Sequence, residues 1–214
     1  MAVTSFATLQ TAIERRIARS RTAAQMSEYT AAVESKFHHG CEDYGVKTNP
    51  LRIRAMETSA DITLSAQSVA LPTDFLQARR VYLNTTNAVG LGYYPPMDFW
   101  SKDIASRTGP PTDYTIEGDN IVFGPGPASA DTVKMLYYKK MSAIDASTTN
   151  WVLLNAAEVY LNGVLAEAFQ EMRNDEQAQI HYLRFRGSIN SLNSADKLDR
   201  ASGAPLIMRA GTNP

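Results

Sequence analysis

The sequence predicts an α+β protein: mainly an α-helical bundle, with a small inserted antiparallel β meander and an extended C-terminal arm. Three observations carry that prediction. Apolar residues recur at spacings of 3 and 4 near both ends of the chain, which is the helical period. Between residues 51 and 140 they alternate and are punctuated by Gly, Pro and Asn, which is the language of strands and turns. Residues 201–214 show neither pattern. The expected organisation is one domain over 1–200, with helices over 5–19, 22–39, 151–173 and 175–198 and a β-rich insertion over 51–140, followed by the arm 201–214.

In the first predicted helix Phe6, Leu9, Ile13 and Ile17 share one face, and Glu14, Arg15, Arg16 and Arg19 fall mostly on the other. Thr22 and Gln25 have the spacing of a capping box, so a second helix opens there, with Met26, Tyr29, Val33 and Phe37 as its stripe and Gly40 as its stop. Leu51, Ile53 and Ala55 alternate with Arg52 and Arg54, and Ile62, Leu64 and Ala66 repeat the period of two, so both stretches read as strands. Residues 78–83 and 89–94 read as a strand pair joined by the 84–87 turn. Pro95 and Pro96 start a short helix containing Phe99, Trp100 and Ile104. Tyr114 and Ile116, the turn Glu117-Gly118-Asp119-Asn120, then Ile121 and Phe123 form the clearest hairpin. Residues 132–139 read as the third strand of that meander.

Asn150 caps the next helix, whose stripe is Leu154, Ala157, Leu161, Val164 or Leu165, Ala168 and Met172. Asn162-Gly163 is a turn signal in a strand context, but the helical period on both sides overrides it. Asn174 with Gln177 opens the last helix, with the stripe Ala178, Tyr182, Phe185, Ile189 and Leu192. So short a join makes the two a helical hairpin.

Composition narrows the function. With 214 residues, 44% of them hydrophobic, the chain buries a sizeable core. Its 21 Lys and Arg against 22 Asp and Glu leave a net charge of -1, which removes the electrostatic case for a general nucleic-acid binder. No apolar run reaches the roughly 18 to 20 residues of a membrane-spanning helix, and polar residues break the N-terminus before a signal peptide forms. The single cysteine, Cys41, has no internal disulfide partner.

Chemistry-bearing motifs are sparse. His38, His39, Cys41, Glu42 and Asp43 lie close together, but their spacing fits neither a helical metal pair nor a zinc ribbon, so they read as a solvated helix end. Gly90-Leu91-Gly92 lacks the third glycine of a dinucleotide fingerprint and reads as a turn. Glu158, Glu167 and Glu171 read as a solvated helix face. The aromatics Tyr93, Tyr94, Phe99, Trp100, Tyr137 and Tyr138 have no cluster of Lys and Arg beside them and read as core or interface residues. No catalytic residue, metal ligand or cofactor site is assigned.

An ordered series of short motifs resembles the head-to-tail adaptor (connector) proteins of tailed bacteriophages. It runs through Leu71-Pro72-Thr73-Asp74-Phe75-Leu76, Phe99-Trp100, Gly109-Pro110-Pro111-Thr112-Asp113-Tyr114-Thr115-Ile116-Glu117-Gly118 and Ile121-Val122-Phe123-Gly124-Pro125-Gly126-Pro127. It continues in Val133-Lys134-Met135-Leu136-Tyr137-Tyr138-Lys139, Asn150-Trp151-Val152-Leu153-Leu154 and Tyr160-Leu161-Asn162-Gly163-Val164-Leu165-Ala166-Glu167-Ala168. The resemblance implies a structural virion protein and not an enzyme. Such adaptors form a homo-oligomeric ring of about twelve copies between the portal protein and a tail or nozzle protein, at the head–tail interface, after synthesis in the host cytoplasm. DNA passes through the channel without sequence-specific binding, and no membrane is involved. On that reading Tyr93, Tyr94 and Phe123 are expected at inter-subunit contacts, and Leu206, Ile207 and Met208 form a portal-binding arm. The competing readings are a small-ligand or peptide-binding module and an enzyme of unrecognised type. An enzyme shows acids or a metal clustered in a pocket, a binding module is monomeric, and an adaptor self-assembles or binds a ring.

Overall fold

The computed structural model describes residues 3–84, 88–102, 107–127 and 131–201. In chain order the elements are α1 (Phe6–Ile17), α2 (Ala23–His39), β1 (Cys41–Asp43), β2 (Val46–Thr48), a 3-10 turn (Arg54–Met56), β3 (Glu57–Thr63), β4 (Ser68–Ala70), β5 (Phe75–Leu83), β6 (Val89–Gly90), β7 (Gly92–Tyr93) and α3 (Pro96–Ser101). There follow β8 (Asp113–Glu117), β9 (Asn120–Gly124), β10 (Thr132–Lys139), α4 (Trp151–Asn155), α5 (Ala157–Glu171) and α6 (Asp175–Ala201). They form two compact units, Met1–Arg54 with Ser142–Pro214, and Ala55–Met141.

The expectation of a mainly helical bundle is wrong. Helix accounts for 45% and strand for 26% of the described residues, so the protein is a mixed α+β fold. Nor is the β part a small meander. It holds two four-stranded sheets, ordered β3-β10-β5-β6 and β4-β9-β8-β7. Ile62, Val81, Val133, Met135 and Tyr137 of the first sheet share one buried cluster with Tyr114, Ile121 and Phe123 of the second. The β8–β9 hairpin is as expected, with a two-residue loop in which Gly118 adopts a φ of 57°. Strand β10, expected beside β9, instead lies between β3 and β5 in the other sheet. The predicted 89–94 strand divides likewise: β6 pairs antiparallel with β5, while β7 pairs parallel with β8. Alternation tells which face of a strand is buried, and it does not tell which strand lies alongside.

In the helical unit α5 is the hub, touched by α1, α2, α4 and α6. Val159, Tyr160, Val164, Leu165 and Ala168 are all fully buried, as a helix apolar on most of its circumference requires. The 151–173 helix is interrupted at Ala156, giving α4 and α5. Three predicted caps hold. Thr22 and Gln25 make both bonds of the capping box, Asn150 Oδ1 accepts the Leu153 N–H at 3.1 Å, and Asn174 Oδ1 accepts the Gln177 N–H at 3.3 Å. The α5–α6 join is closed by Arg173 in the left-handed region, φ 55°.

Residues 51–53 are the instructive departure. Their alternation is real, with Leu51 and Ile53 buried, yet among the described residues no strand pairs with them. Side chains of α6 replace the missing strand. Asn193 accepts the Arg52 N–H at 2.8 Å and donates to the Pro50 carbonyl at 3.1 Å, and Asp196 accepts the Arg54 N–H at 2.8 Å. Burial raises the pKa of the Asp196 carboxyl, but the Arg54 amide and the Arg200 guanidinium outweigh it, so the net shift is downward.

The β1–β2 hairpin was not expected. Tyr44 and Gly45 occupy its two-residue turn with φ of 53° and 69°, the positive pair that a type I′ turn demands. Tyr182 of α6 anchors the hairpin, with its hydroxyl 2.8 Å from Thr48 Oγ1 and 3.0 Å from the Val46 carbonyl it donates to. Lys36 ties the same hairpin to two helices through bonds of 2.6 Å to Asp43 and 2.6 Å to Glu167. Burial disfavours the Lys36 charge, but the two carboxylates prevail and raise its pKa. Replacing Lys36 by Met is expected to lower stability by about 1–3 kcal/mol, because two half-buried carboxylates lose their shared cation. In denaturant titrations the double variant Lys36→Met with Glu167→Gln should lose less than the two single losses added together.

Candidate functional site

The histidine and cysteine cluster does not form a centre. His38 is buried, its ring edge-on to Phe37 with centroids 4.5 Å apart, which corrects the reading of a solvated helix end. His39 and Glu42 are exposed, and the Cys41 sulfur lies 3.4 Å from the Tyr182 hydroxyl. Among the described residues no group of three or more His, Cys, Asp and Glu is placed to hold a metal ion. Among the same residues no helix is long and apolar enough to cross a membrane. The glutamates also depart from a uniform solvated face, since Glu167 belongs to the Lys36 pair and Glu171 lies 4.0 Å from Arg21.

The buried ionisable groups serve structure. Glu34 Oε1 accepts the Ile144 N–H at 2.9 Å and the Tyr160 hydroxyl at 2.9 Å, and Asn150 donates at 2.6 Å to that hydroxyl and at 2.9 Å to the Ser142 carbonyl. This cluster fastens the chain where it re-enters the helical unit. Tyr137 donates to Asp74 at 2.8 Å, and burial together with that bond pushes its pKa up to about 12.

Two surface features remain. On the β unit, the 89–100 stretch displays large apolar side chains: Tyr93 is 54% exposed, Met97 86% and Trp100 52%. Phe99 roots α3 in the core, and the Trp100 indole N–H is held by Glu117. Tyr94 is half-buried, with the Lys102 ammonium 3.1 Å from its ring centre. Phe123, in contrast, is 0% exposed, so its contacts are with its own chain. Leu206, Ile207 and Met208 lie outside the described residues.

On the helical unit a groove of about 1070 Å³ is lined by Val159, Leu161, Phe169, His181, Arg16 and Arg184, among others. His181 stacks on Phe169 with centroids 5.5 Å apart, and its Nδ1 lies 3.2 Å from Asn162 Oδ1. Burial, then the charges of Arg184 and Arg16, hold the imidazole below its usual pKa. Both guanidinium groups therefore act on the same stretch of groove. Ile180, exposed on α6, lies one turn before Arg184 on the same face of the helix.

A family model described as SU10 adaptor protein matches residues 4–209. The chain belongs to this family of phage head-to-tail adaptors. None of the curated proteins matches it.

The match spans nearly the whole adaptor, so both units belong to the family's fold. An adaptor is a structural component of the virion that meets other virion components, and its working parts are surfaces. Sequence reasoning pointed to the exposed Tyr93 but missed the groove. No linear motif encodes that groove, because its lining comes from α1, α4, α5 and α6 at once. The one available signal was Arg16 and Arg184 on the polar sides of predicted helices, which looks the same as an ordinary solvated face.

Proposed function

We propose that this adaptor forms a closed ring of about twelve copies between the portal and the tail, extends the channel for DNA, and carries out no catalysis. The family match over residues 4–209 carries the reading. The exposed aromatic and apolar surface of the β unit supports it, since a subunit of a closed ring needs sticky surface outside its own core. Tyr93 and Tyr94 are the inter-subunit contacts of this reading, and Phe123 drops out because it has no exposed surface. A net charge of -1 suits a channel that lets DNA slide and releases it. Residues 201–214 are an arm that docks on the portal through Leu206, Ile207 and Met208, whose burial gives roughly 1.5–3 kcal/mol each before the ordering of the arm is subtracted. Repetition around a ring turns a small surplus per copy into firm attachment.

Native mass measurement of the chain alone and with its portal tests the ring, which should register as a single multiple of the subunit mass. Deleting 201–214 should leave helix content nearly unchanged and abolish or greatly weaken attachment to the portal in co-sedimentation. Undiminished attachment of the truncated chain would show the arm to be a bystander.

A further inference from the structure

We infer that the exposed α3 knob of one copy, Met97, Asp98 and Trp100, docks into the Arg16–Arg184 groove on the helical unit of a second copy. The inference rests on the ring reading and names the contact that would close it.

The knob has the features of an inserted element. Pro96 opens α3, Phe99 fixes it to the core, and Glu117 holds the Trp100 indole, so the aromatic is presented rigidly and loses little freedom on binding. Met97 is the most exposed large apolar side chain among the described residues, at 86%. Trp is enriched among the residues that anchor interfaces, and the flexible thioether of Met moulds to irregular apolar surface. Asp98 lies between them, exposed and without an ion-pair partner among the described residues.

The groove is complementary in both respects. Its floor is apolar and aromatic, through Val159, Leu161 and Phe169, and its volume of about 1070 Å³ accommodates an indole and a thioether side chain together. Its cations are exposed, and no carboxylate of the described residues pairs with Arg16 or Arg184. The rim is mixed, with Asn155, Asn162, Gln177 and the exposed carboxylate Glu158 beside the two guanidinium groups, so its two cations outnumber its one acid and favour an apolar segment that carries an acid. The β unit supplies such a segment in Met97-Asp98-Phe99-Trp100. Knob and groove belong to different units of the chain, and each copy carries one of each. The contact is heterologous and repeats head to tail, as a ring requires.

Charge reversal tests the contact in the full-length chain. Asp98→Arg and Arg184→Glu, both at exposed positions, should each leave the melting temperature of the subunit unchanged. Each should raise the concentration needed for half-assembly by at least about tenfold in sedimentation velocity, because like charges then face each other in the groove. The double variant should recover most of the loss. Met97→Ala with Trp100→Ala should weaken assembly at any salt concentration, whereas the charge effects should shrink as salt rises. Single reversals that form rings as well as the wild type, or a double variant no better than the weaker single, would overturn the contact while leaving the ring reading in place. Single variants that assemble normally but lose the portal would assign the groove to the portal and overturn the contact between copies. A wild-type chain that remains monomeric both alone and with portal would overturn the ring reading and this contact with it.

Discussion

Replacing Gly163 by Val should unfold the helical unit or lower its stability by more than about 3 kcal/mol. A Cβ built at Gly163 lies 2.8 Å from both Val33 methyl carbons and 3.2 Å from the Phe185 ring, so α2, α5 and α6 meet at a point with no room for one carbon. Val33 and Phe185 are themselves fully buried and have nowhere to go. Gly163→Ala is the finer test. On an exposed helix Ala is favoured over Gly by about 1 kcal/mol, but overpacking a filled core costs about 1–3 kcal/mol, so the net effect here is a loss. Gly187 in α6 has nothing within 4 Å of its would-be Cβ, so Gly187→Ala should stabilise by about 0.5–1 kcal/mol. Two Gly→Ala changes in neighbouring helices should thus move the melting temperature in opposite directions. A gain at both positions would mean that the helices do not pack this closely around Gly163.

Breaking the Glu34 cluster should have the next largest effect. Glu34→Leu leaves the Ile144 N–H without an acceptor and deprives the Tyr160 hydroxyl of the carboxylate to which it donates, in a region closed to water; about 2–4 kcal/mol should be lost. Tyr160→Phe should cost about 1–3 kcal/mol, because Glu34 loses a donor and the Asn150 amide an acceptor. Glu34→Gln behaves differently. Its amide oxygen accepts the same two hydrogen bonds without a buried charge. Burial raises the Glu34 carboxyl above its ordinary value of 4.5, although the Ile144 amide and the Tyr160 hydroxyl oppose that shift. Between 4.5 and the raised value the folded state holds more protons than the unfolded one, so wild-type stability falls as pH rises through that window. The Gln variant lacks this slope. Denaturant midpoints of the two proteins should therefore converge in acid and separate towards neutrality, with Gln the more stable at pH 7. An unchanged gap across the range would place the titration elsewhere.

The fold was legible where its signals are local. Thr22 with Gln25, Asn150 and Asn174 announce their helices because a cap uses residues three apart in the chain, and each makes its bond in the structure. The stripe Phe6-Leu9-Ile13-Ile17 is buried as its period required, and so is Ala178-Tyr182-Phe185-Ile189, with Leu192 at its end half-buried; the stripe drawn through Leu154 fails there, because the helix breaks at Ala156 and leaves Leu154 exposed. Gly118 marked its hairpin because a positive φ belongs to one residue. The Tyr44-Gly45 hairpin was less legible, because its first turn position holds Tyr44 at a positive φ that a bulky residue seldom adopts, where Asn or Asp before Gly would have announced the turn.

Strand partners were a different matter, because pairing is settled by residues far apart in the chain. The sequence alone determined that residues 132–139 form a strand with Val133, Met135 and Tyr137 facing inward, since alternation is a property of the strand itself. Tertiary structure decided that this strand lies between β3 and β5, because a row of backbone donors and acceptors is nearly the same on every strand and only the joint burial of both sheets chooses among them. In the same way sequence determined that Leu51 and Ile53 are buried while Arg52 and Arg54 point away. Only the fold could show that Asn193 and Asp196 of a helix supply the hydrogen bonds a strand would have given. The arginine groove is the extreme case: its lining residues are gathered from four helices, so it exists only once α1, α4, α5 and α6 have packed.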